Sequence, residues 1–311
     1  MDNHTSHLVV SPVPHIRSAL TTRRVMGNVI IALLPALLAS TLIFGLRSLL
    51  VVAVTTAACV LCEYLWCRIR RLPNTVGDLS AVVTGLLLAF NLPSTVPLYL
   101  PVIGAITAIL VVKELFGGIG CNFVNPAIVG RITLAVSFPA RMTSYFFPAP
   151  LVACDALTGA TPLAVTAEKL SLLDLFLGTH GGVIGETCAL ALLLGLIWLL
   201  ATRTIELTIP LVYVGTVAVL SALCGQNVLY QVLSGGLLLG AIFMATDYTT
   251  SPFFRSGKII FGLGLGIITC LIRFWGNMHE GVSYSILIMN LLVPYINAKF
   301  RRTPMGGGTR S

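Results

Sequence analysis

Gly27-Asn-Val-Ile-Ile-Ala-Leu-Leu-Pro-Ala-Leu-Leu-Ala-Ser-Thr-Leu-Ile-Phe-Gly-Leu46 runs for twenty residues without a charged side chain. At about 1.5 Å per residue, a helix of that length spans roughly 30 Å, the hydrocarbon thickness of a bilayer. The stretch before it, Met1 to Ala19, is polar and proline-containing, and no small-residue cleavage site follows the block. The block therefore reads as a first membrane helix rather than a signal peptide.

The pattern continues outward from this block. Of the 311 residues, 56% are hydrophobic and only 10% are charged, against about 25% charged in a soluble domain. Further apolar blocks lie at 49–66, 79–95, 97–112, 122–138, 183–201, 207–224, 232–246, 259–275 and 283–299. Blocks 27–46, 49–66 and 183–201 have the length of full spans. The third, fifth and eighth are short or interrupted by Gly, Pro and Asn, so they are expected as broken segments that line protein or a cavity. The fold expected is an all-α integral membrane protein of about ten transmembrane segments.

Charge gives the orientation. With the N-terminus in the cytoplasm, fourteen Lys and Arg fall on cytoplasmic segments and four (Arg47, Arg141, Lys169, Arg273) on the other side, while Arg131 falls inside a span. That is the positive-inside bias. The expected layout is a cytoplasmic segment 1–26, a first membrane half 27–138, an extracytoplasmic loop 139–182, a second half 183–299 and a cytoplasmic tail 300–311. Thr84-Gly-Leu-Leu-Leu-Ala-Phe90 and Gly235-Gly-Leu-Leu-Leu-Gly-Ala241 each sit in the third block of their half. Five spans per half would make the two halves inverted repeats.

The net charge of +8 comes in short clusters between apolar blocks, without interleaved aromatics, so no nucleic-acid partner is expected. Most of the eight cysteines lie within apolar blocks, where cysteine behaves as a small hydrophobe. Cys59 and Cys62 form a C-x-x-C with no second ligand pair, and no metal site is expected from them.

The loop at 139–182 contains Asp155-Ala-Leu-Thr-Gly-Ala-Thr-Pro-Leu163. Thr-Gly and Thr-Pro are ordinary turn dipeptides. The alternative is chemical: small residues admit another molecule to the backbone, the Thr161 hydroxyl meets a phosphorus electrophile, and Asp155 positions a metal or accepts the proton. Glu114, Asp247 and Glu186 sit near segment ends, where ionisable groups serve function, or act as a cap or a pair, since Lys113 (one of the fourteen cytoplasmic charges) adjoins Glu114. Glu186 reads as structural, whereas Glu114 and Asp247 stay open. A carboxylate at Asp247, beside broken backbone, could also bind a cation when negative charge arrives nearby. Asn122, Asn125 and Pro126 would break a helix early and present amides to a cavity.

Asp155 to Thr161 resembles the D-x-x-[S/T]-G-A-T signature on which a flavin transferase esterifies FMN. Almost the whole chain is similar to the RnfD/NqrB family. The similarity runs through Ser11-Pro-Val-Pro-His-Ile-Arg17, Phe116-Gly-Gly-Ile-Gly-Cys-Asn-Phe-Val-Asn-Pro-Ala127, Gly182-Val-Ile-Gly-Glu-Thr187, Ser234-Gly-Gly236, Phe243-Met-Ala-Thr-Asp-Tyr-Thr-Thr-Ser-Pro252 and Glu280-Gly-Val-Ser-Tyr284. Length favours the shorter, Rnf-type members. The resemblance implies a covalent FMN on Thr161, with Asp155, Thr158, Gly159 and Ala160 completing its site. It also implies a second, non-covalent riboflavin beside broken segments, with Asn122, Asn125 and Asp247 as its candidate residues. It further implies an inner-membrane component of a pump that relays electrons between ferredoxin and NAD while moving Na+ or H+. The partners implied are the other Rnf subunits, membrane lipid and the flavin transferase. No Gly-rich nucleotide fingerprint follows a strand, so NAD is expected on another subunit. The competing classes are a passive solute channel or transporter, and a purely structural membrane protein of the complex.

The topology has a direct test. A cysteine introduced as Lys169→Cys should react with an impermeant thiol reagent added to intact cells, and Arg70→Cys should react only after permeabilisation. The reverse pattern inverts the orientation.

Overall fold

The computed structural model describes residues 21–146, 158–159, 172–178, 180–276 and 281–300. The chain is all-α apart from one short ribbon. Helix α1 (Thr22–Phe44) starts at Thr21, whose hydroxyl accepts from the Arg24 N–H at 3.3 Å and caps the first turn. Gly45 alone joins it to α2 (Leu46–Ile69). Its φ is +73° and a Cβ there would meet nothing within 4 Å, so backbone conformation rather than space selects glycine.

The first half continues with α3 (Ser80–Phe90), α4 (Tyr99–Ile106, running on as a π-helix Thr107–Glu114), α5 (Pro126–Ser137) and a single turn α6 (Pro139–Met142). Two strands, β1 (Tyr145–Phe146) and β2 (Thr158–Gly159), pair antiparallel with Tyr145 opposite Gly159. After α7 (Leu172–Leu177) the second half comprises α8 (Ala189–Ala201), α9 (Thr208–Leu223), α10 (Val228–Leu233), α11 (Leu237–Leu239, running on as a π-helix Gly240–Met244), α12 (Arg255–Trp275) and α13 (Val282–Lys299).

Each of the ten apolar blocks contains a helix. The third, fifth and eighth are short, at 11, 12 and 3 residues of α-helix, the last extended by 5 residues of π-helix. The helices long and apolar enough to cross a membrane by themselves are α1, α2 and α12. The sixth block therefore corrects the reading of 183–201 as a full helical span, because α8 has only 13 residues. Its first residues form a single bridge and a turn instead. Ile184 N–H donates to the Leu92 carbonyl at 3.0 Å and Gly185 N–H to the Phe90 carbonyl at 2.9 Å, and Val183 bridges Pro93. These bonds satisfy carbonyls where α3 stops inside the protein.

The same pairings recur in both halves. The second helix packs along the fourth (α2 on α4, α9 on α12), and the first helices α1 and α8 pack on each other. A basic residue late in the fourth helix reaches the opening of the third element in each half: Lys113 bonds Ser80 Oγ at 2.6 Å, and Arg273 bonds the Ser234 carbonyl at 3.2 Å. Outward faces are apolar, with Leu42 87% and Leu223 78% exposed, while Leu33, Leu88, Phe90 and Tyr213 are buried. Lipid is the solvent for such a surface.

Small residues set the closest helix contacts. A Cβ on Gly195 of α8 would lie 2.4 Å from the Ala32 carbonyl oxygen of α1 and 2.8 Å from Phe243 Cζ. Gly195→Ala should therefore cost about 1–3 kcal/mol through overpacking and lower the thermal midpoint of the detergent-solubilised protein. Gly27→Ala, inside α1 with nothing within 4 Å, is the control and should hold the midpoint or raise it slightly, because alanine favours the helix.

Candidate functional site

Between the broken elements lies a cavity of about 620 Å³, within the roughly 300–1,000 Å³ typical of small-molecule sites. It opens on the face that carries the α1 N-terminus, the α8–α9 connection and the start of α12. Asn122, Asn125 and Asp247 all line it. They come from the segment before α5 and the segment after α11, so the fold joins residues more than a hundred positions apart.

Local structure explains each. Asn125 caps α5: its Oδ1 accepts from the Ala127 N–H at 3.0 Å, and Pro126 follows at the first helical position. Its Nδ2 donates to the Met244 carbonyl at 3.3 Å. Asn290 of α13 holds the same loop, accepting from the Asn125 N–H at 3.1 Å and donating to the Thr250 carbonyl at 3.1 Å. Asn122 donates to the Val124 carbonyl at 3.2 Å, which closes its own turn. Asp247 does not cap a helix. Its Oδ2 accepts from the hydroxyls of Thr249 at 3.0 Å and Thr250 at 3.1 Å, and the carboxylate is half-buried at the cavity wall.

Apolar walls from Val29, Leu87, Ile242 and Phe243 face these polar groups. A planar heteroaromatic ring fits such a lining, with its ring faces on the apolar side chains and its polar edge on amides and hydroxyls. An isoalloxazine has that character, so the residues present suit a flavin.

The cavity floor holds a charge pair that sequence reasoning passed over. Lys113, counted there among the loop charges, is buried. Its Nζ donates to Glu63 Oε2 at 2.5 Å and to Ser80 Oγ at 2.6 Å. Glu63, inside α2, also accepts from the Thr75 hydroxyl at 2.6 Å. A carboxylate within a 24-residue apolar helix was the available signal, since such a group needs a partner. Glu114, the neighbour of Lys113, lies 3.9 Å from its Nζ, and Glu114 Oε1 is buried without a hydrogen-bond partner among the described residues.

A second polar group crosses the middle of the fold. Arg131 of α5 donates through Nη1 to Asn91 Oδ1 at 2.9 Å and to Ser283 Oγ at 2.7 Å. Asn91 Nδ2 in turn reaches the Leu87 carbonyl at 2.7 Å and Met244 Sδ at 3.5 Å. Met244 thus links Arg131 to Asn125 and the cavity. In the other direction Arg131 is within electrostatic reach of Glu186 and Tyr145. Glu186, read as structural, accepts through Oε1 from the Val183 N–H at 3.5 Å, and its Oε2 is buried with no hydrogen-bond partner among the described residues.

Of the flavin signature, Asp155, Ala160 and Thr161 lie outside the described residues. Thr158 and Gly159 form β2, and Gly159 pairs with Tyr145.

The family model described as NQR2, RnfD, RnfE matches residues 9–306. The D-type component of the Na(+)-translocating ferredoxin:NAD(+) oxidoreductase complex of Acetobacterium woodii is 46% identical, over 98% of this chain and 96% of that protein. Its counterpart in the proton-translocating ferredoxin:NAD(+) oxidoreductase complex of Clostridium ljungdahlii is 39% identical, over 97% and 96%. The counterpart in the ion-translocating oxidoreductase complex of Stutzerimonas stutzeri is 38% identical, over 95% and 94%.

The buried pair has a measurable signature. Glu63→Ala should destabilise the protein by about 3–5 kcal/mol because it strands the Lys113 charge, whereas Glu63→Met with Lys113→Met should recover most of that loss. Thermal unfolding in detergent reads both, and equal losses would mean that the pair carries no net electrostatic cost.

Proposed function

The chain belongs to the NQR2, RnfD, RnfE family, and from that premise we propose that it is the flavin-carrying membrane subunit of an Rnf-type complex. In this reading the complex couples electron transfer between ferredoxin and NAD to cation translocation. The chain is not a complete enzyme. It supplies position, low dielectric and neighbours to flavin chemistry, and another subunit supplies the nucleotide site. The relatives named above differ in the ion that they move, one Na+ and one proton, so the proposal is for cation translocation as such.

The observation that carries the flavin role is the convergence of Asn122, Asn125 and Asp247 on one cavity. We assign that cavity to a non-covalent flavin such as riboflavin, with the Asn amides and the Asp247 turn at its polar edge. A covalent FMN on Thr161, attached by a flavin transferase, is the second carrier. Asp155, Thr158, Gly159 and Ala160 form the recognition sequence around it. The chain of contacts Asn125–Met244–Asn91–Arg131 runs from the cavity toward the ribbon that bears this sequence. It supports electron passage between carriers on opposite faces.

We place the protein in the inner membrane with both termini cytoplasmic and the 139–182 loop outside, on the strength of the fourteen-to-four charge asymmetry. The cavity then opens to the cytoplasm and the Thr161 flavin lies on the far side.

Mass spectrometry tests the covalent carrier. The peptide containing Thr161 should gain the mass of one esterified FMN, Thr161→Ala should abolish in-gel flavin fluorescence, and Thr158→Ala should reduce loading only in part. An unmodified peptide from cells that express the transferase removes the flavoprotein reading and favours a passive channel of the same architecture.

A further inference from the structure

A ligand that accepts electrons in a low-dielectric cavity acquires negative charge there, and an uncompensated buried charge is costly. Electron arrival is therefore tied to a proton or a fixed cation. The cavity floor offers both in one group, Lys113. Glu63 Oε2 and Ser80 Oγ take two of the three ammonium donors, at 2.5 and 2.6 Å. The third has no hydrogen-bond acceptor among the described residues, and Lys113 lines the cavity.

Behind Lys113 the hydrogen bonds continue outward. The Ser80 hydroxyl donates to Asp78 Oδ1 at 2.5 Å, and the same oxygen accepts from the Ser80 N–H at 2.8 Å. Asp78 is half-buried at the end of the short 3-10 turn Val76–Asp78, which follows the exposed Thr75. Leu79 between Asp78 and Ser80 adopts φ +67°, a left-handed backbone uncommon for leucine, and this tight turn brings the two side chains together. The row Asp78–Ser80–Lys113 thus leads from the surface of the loop into the cavity in two hydrogen bonds. The buried Glu63 side chain, tied to Thr75, holds the lysine in place.

We propose that Asp78, Ser80 and Lys113 form a proton relay that feeds the cavity ligand as it is reduced. The proposal rests on the assignment of a redox-active heteroaromatic ligand to the cavity. Two electrons enter the ligand from a reduced donor of the iron–sulfur class. Lys113 gives up one proton: an Nζ–H bond breaks and an N–H bond forms at a ring nitrogen of the ligand. Asp78 takes a proton from solvent. The Ser80 hydroxyl then turns its hydrogen to the Lys113 amine and receives the Asp78 proton in exchange. The relay ends with every protein group in its starting state and one solvent proton on the ligand, whose remaining negative charge faces the restored ammonium.

The groups around Lys113 fit this direction. From α2 it is faced by Glu63 and Cys59, from the 3-10 turn by Asp78, and from its own helix by Glu114. Across the cavity Lys258 is bonded to Glu206 at 2.7 Å, and Asp247 is bonded to Thr249 and Thr250. Of the cations on that far side, Lys258 is half-buried and Arg203 is exposed. Lys113 is the buried acid of the cavity lining among the described residues.

The test uses the full chain carrying Thr161→Ala, so that any flavin it holds is non-covalent, titrated with riboflavin and reduced by dithionite in a stopped-flow instrument in H2O and D2O. In this parent, reduction of bound riboflavin should show a solvent isotope effect. Ser80→Ala keeps the Lys113–Glu63 pair. It should leave riboflavin affinity nearly unchanged, slow reduction by about 10²-fold, and change the isotope effect. Lys113→Met with Glu63→Gln, which removes both charges together, should slow reduction at least as much. If the parent does not bind riboflavin, the cavity assignment is wrong and the relay falls with it. If riboflavin binds and Ser80→Ala reduces at the parent rate with the parent isotope effect, the relay alone is wrong. Should the double variant fail to fold, Ser80→Ala decides the matter by itself.

Discussion

Inside a bilayer no water is available to a peptide group, so a helix that stops there must find partners for its last carbonyls within the protein. The structure turns on one such stop. α3 ends at Phe90, and carbonyls at and just beyond its end accept from Ile184 and Gly185 in the turn that precedes α8. This pairing, beside the packing of α1 on α8, joins the two halves across the sequence. It shortens α8 and leaves no room for a side chain at Gly185, where a Cβ would lie 2.3 Å from Phe90 Cβ. The broken elements that it helps to hold leave a space between them, and polar groups are held there.

The polar groups held there fall into two layers. On the side of the cavity, Glu63, Lys113 and Ser80 form a compact pair-and-hydroxyl cluster at the base of α3. Toward the ribbon, Arg131 is held by Asn91 and Ser283, with Glu186 nearby. Burying charge is expensive, and stability alone would be served as well by apolar side chains. Retained buried charges on two sides of a broken helix fit a protein whose work is to move charge. The cavity supplies volume and an amide-lined edge, the ribbon carries Thr158 and Gly159, and Arg131, Asn91 and Met244 form a row of contacts on the cavity's inner side.

Secondary-structure irregularity is concentrated at the same places. The π-helical stretches Thr107–Glu114 and Gly240–Met244 each end at the cavity, and π-turns recur at functional sites. The first carries Lys113, and the second carries Met244, whose carbonyl receives Asn125. The irregular backbone therefore aims side chains that a regular helix at the same positions would rotate away.

Composition and block length by themselves determined the membrane class, the ten apolar segments and the weakness of the third, fifth and eighth, because lipid solvation acts on local runs of residues. Local chemistry also marked Asn122, Asn125 and Asp247, since breakers and amides stand out against apolar sequence. What only the tertiary structure decided was pairing. The block at 183–201 reads as one apolar run, and its split into a bridged turn and a short helix depends on carbonyls nearly a hundred residues earlier. Glu63 and Lys113 lie fifty positions apart, and nothing in either neighbourhood names the other. Buried charge is tolerated only with a partner at bonding distance, and that distance exists only once α2, α3 and α4 have packed.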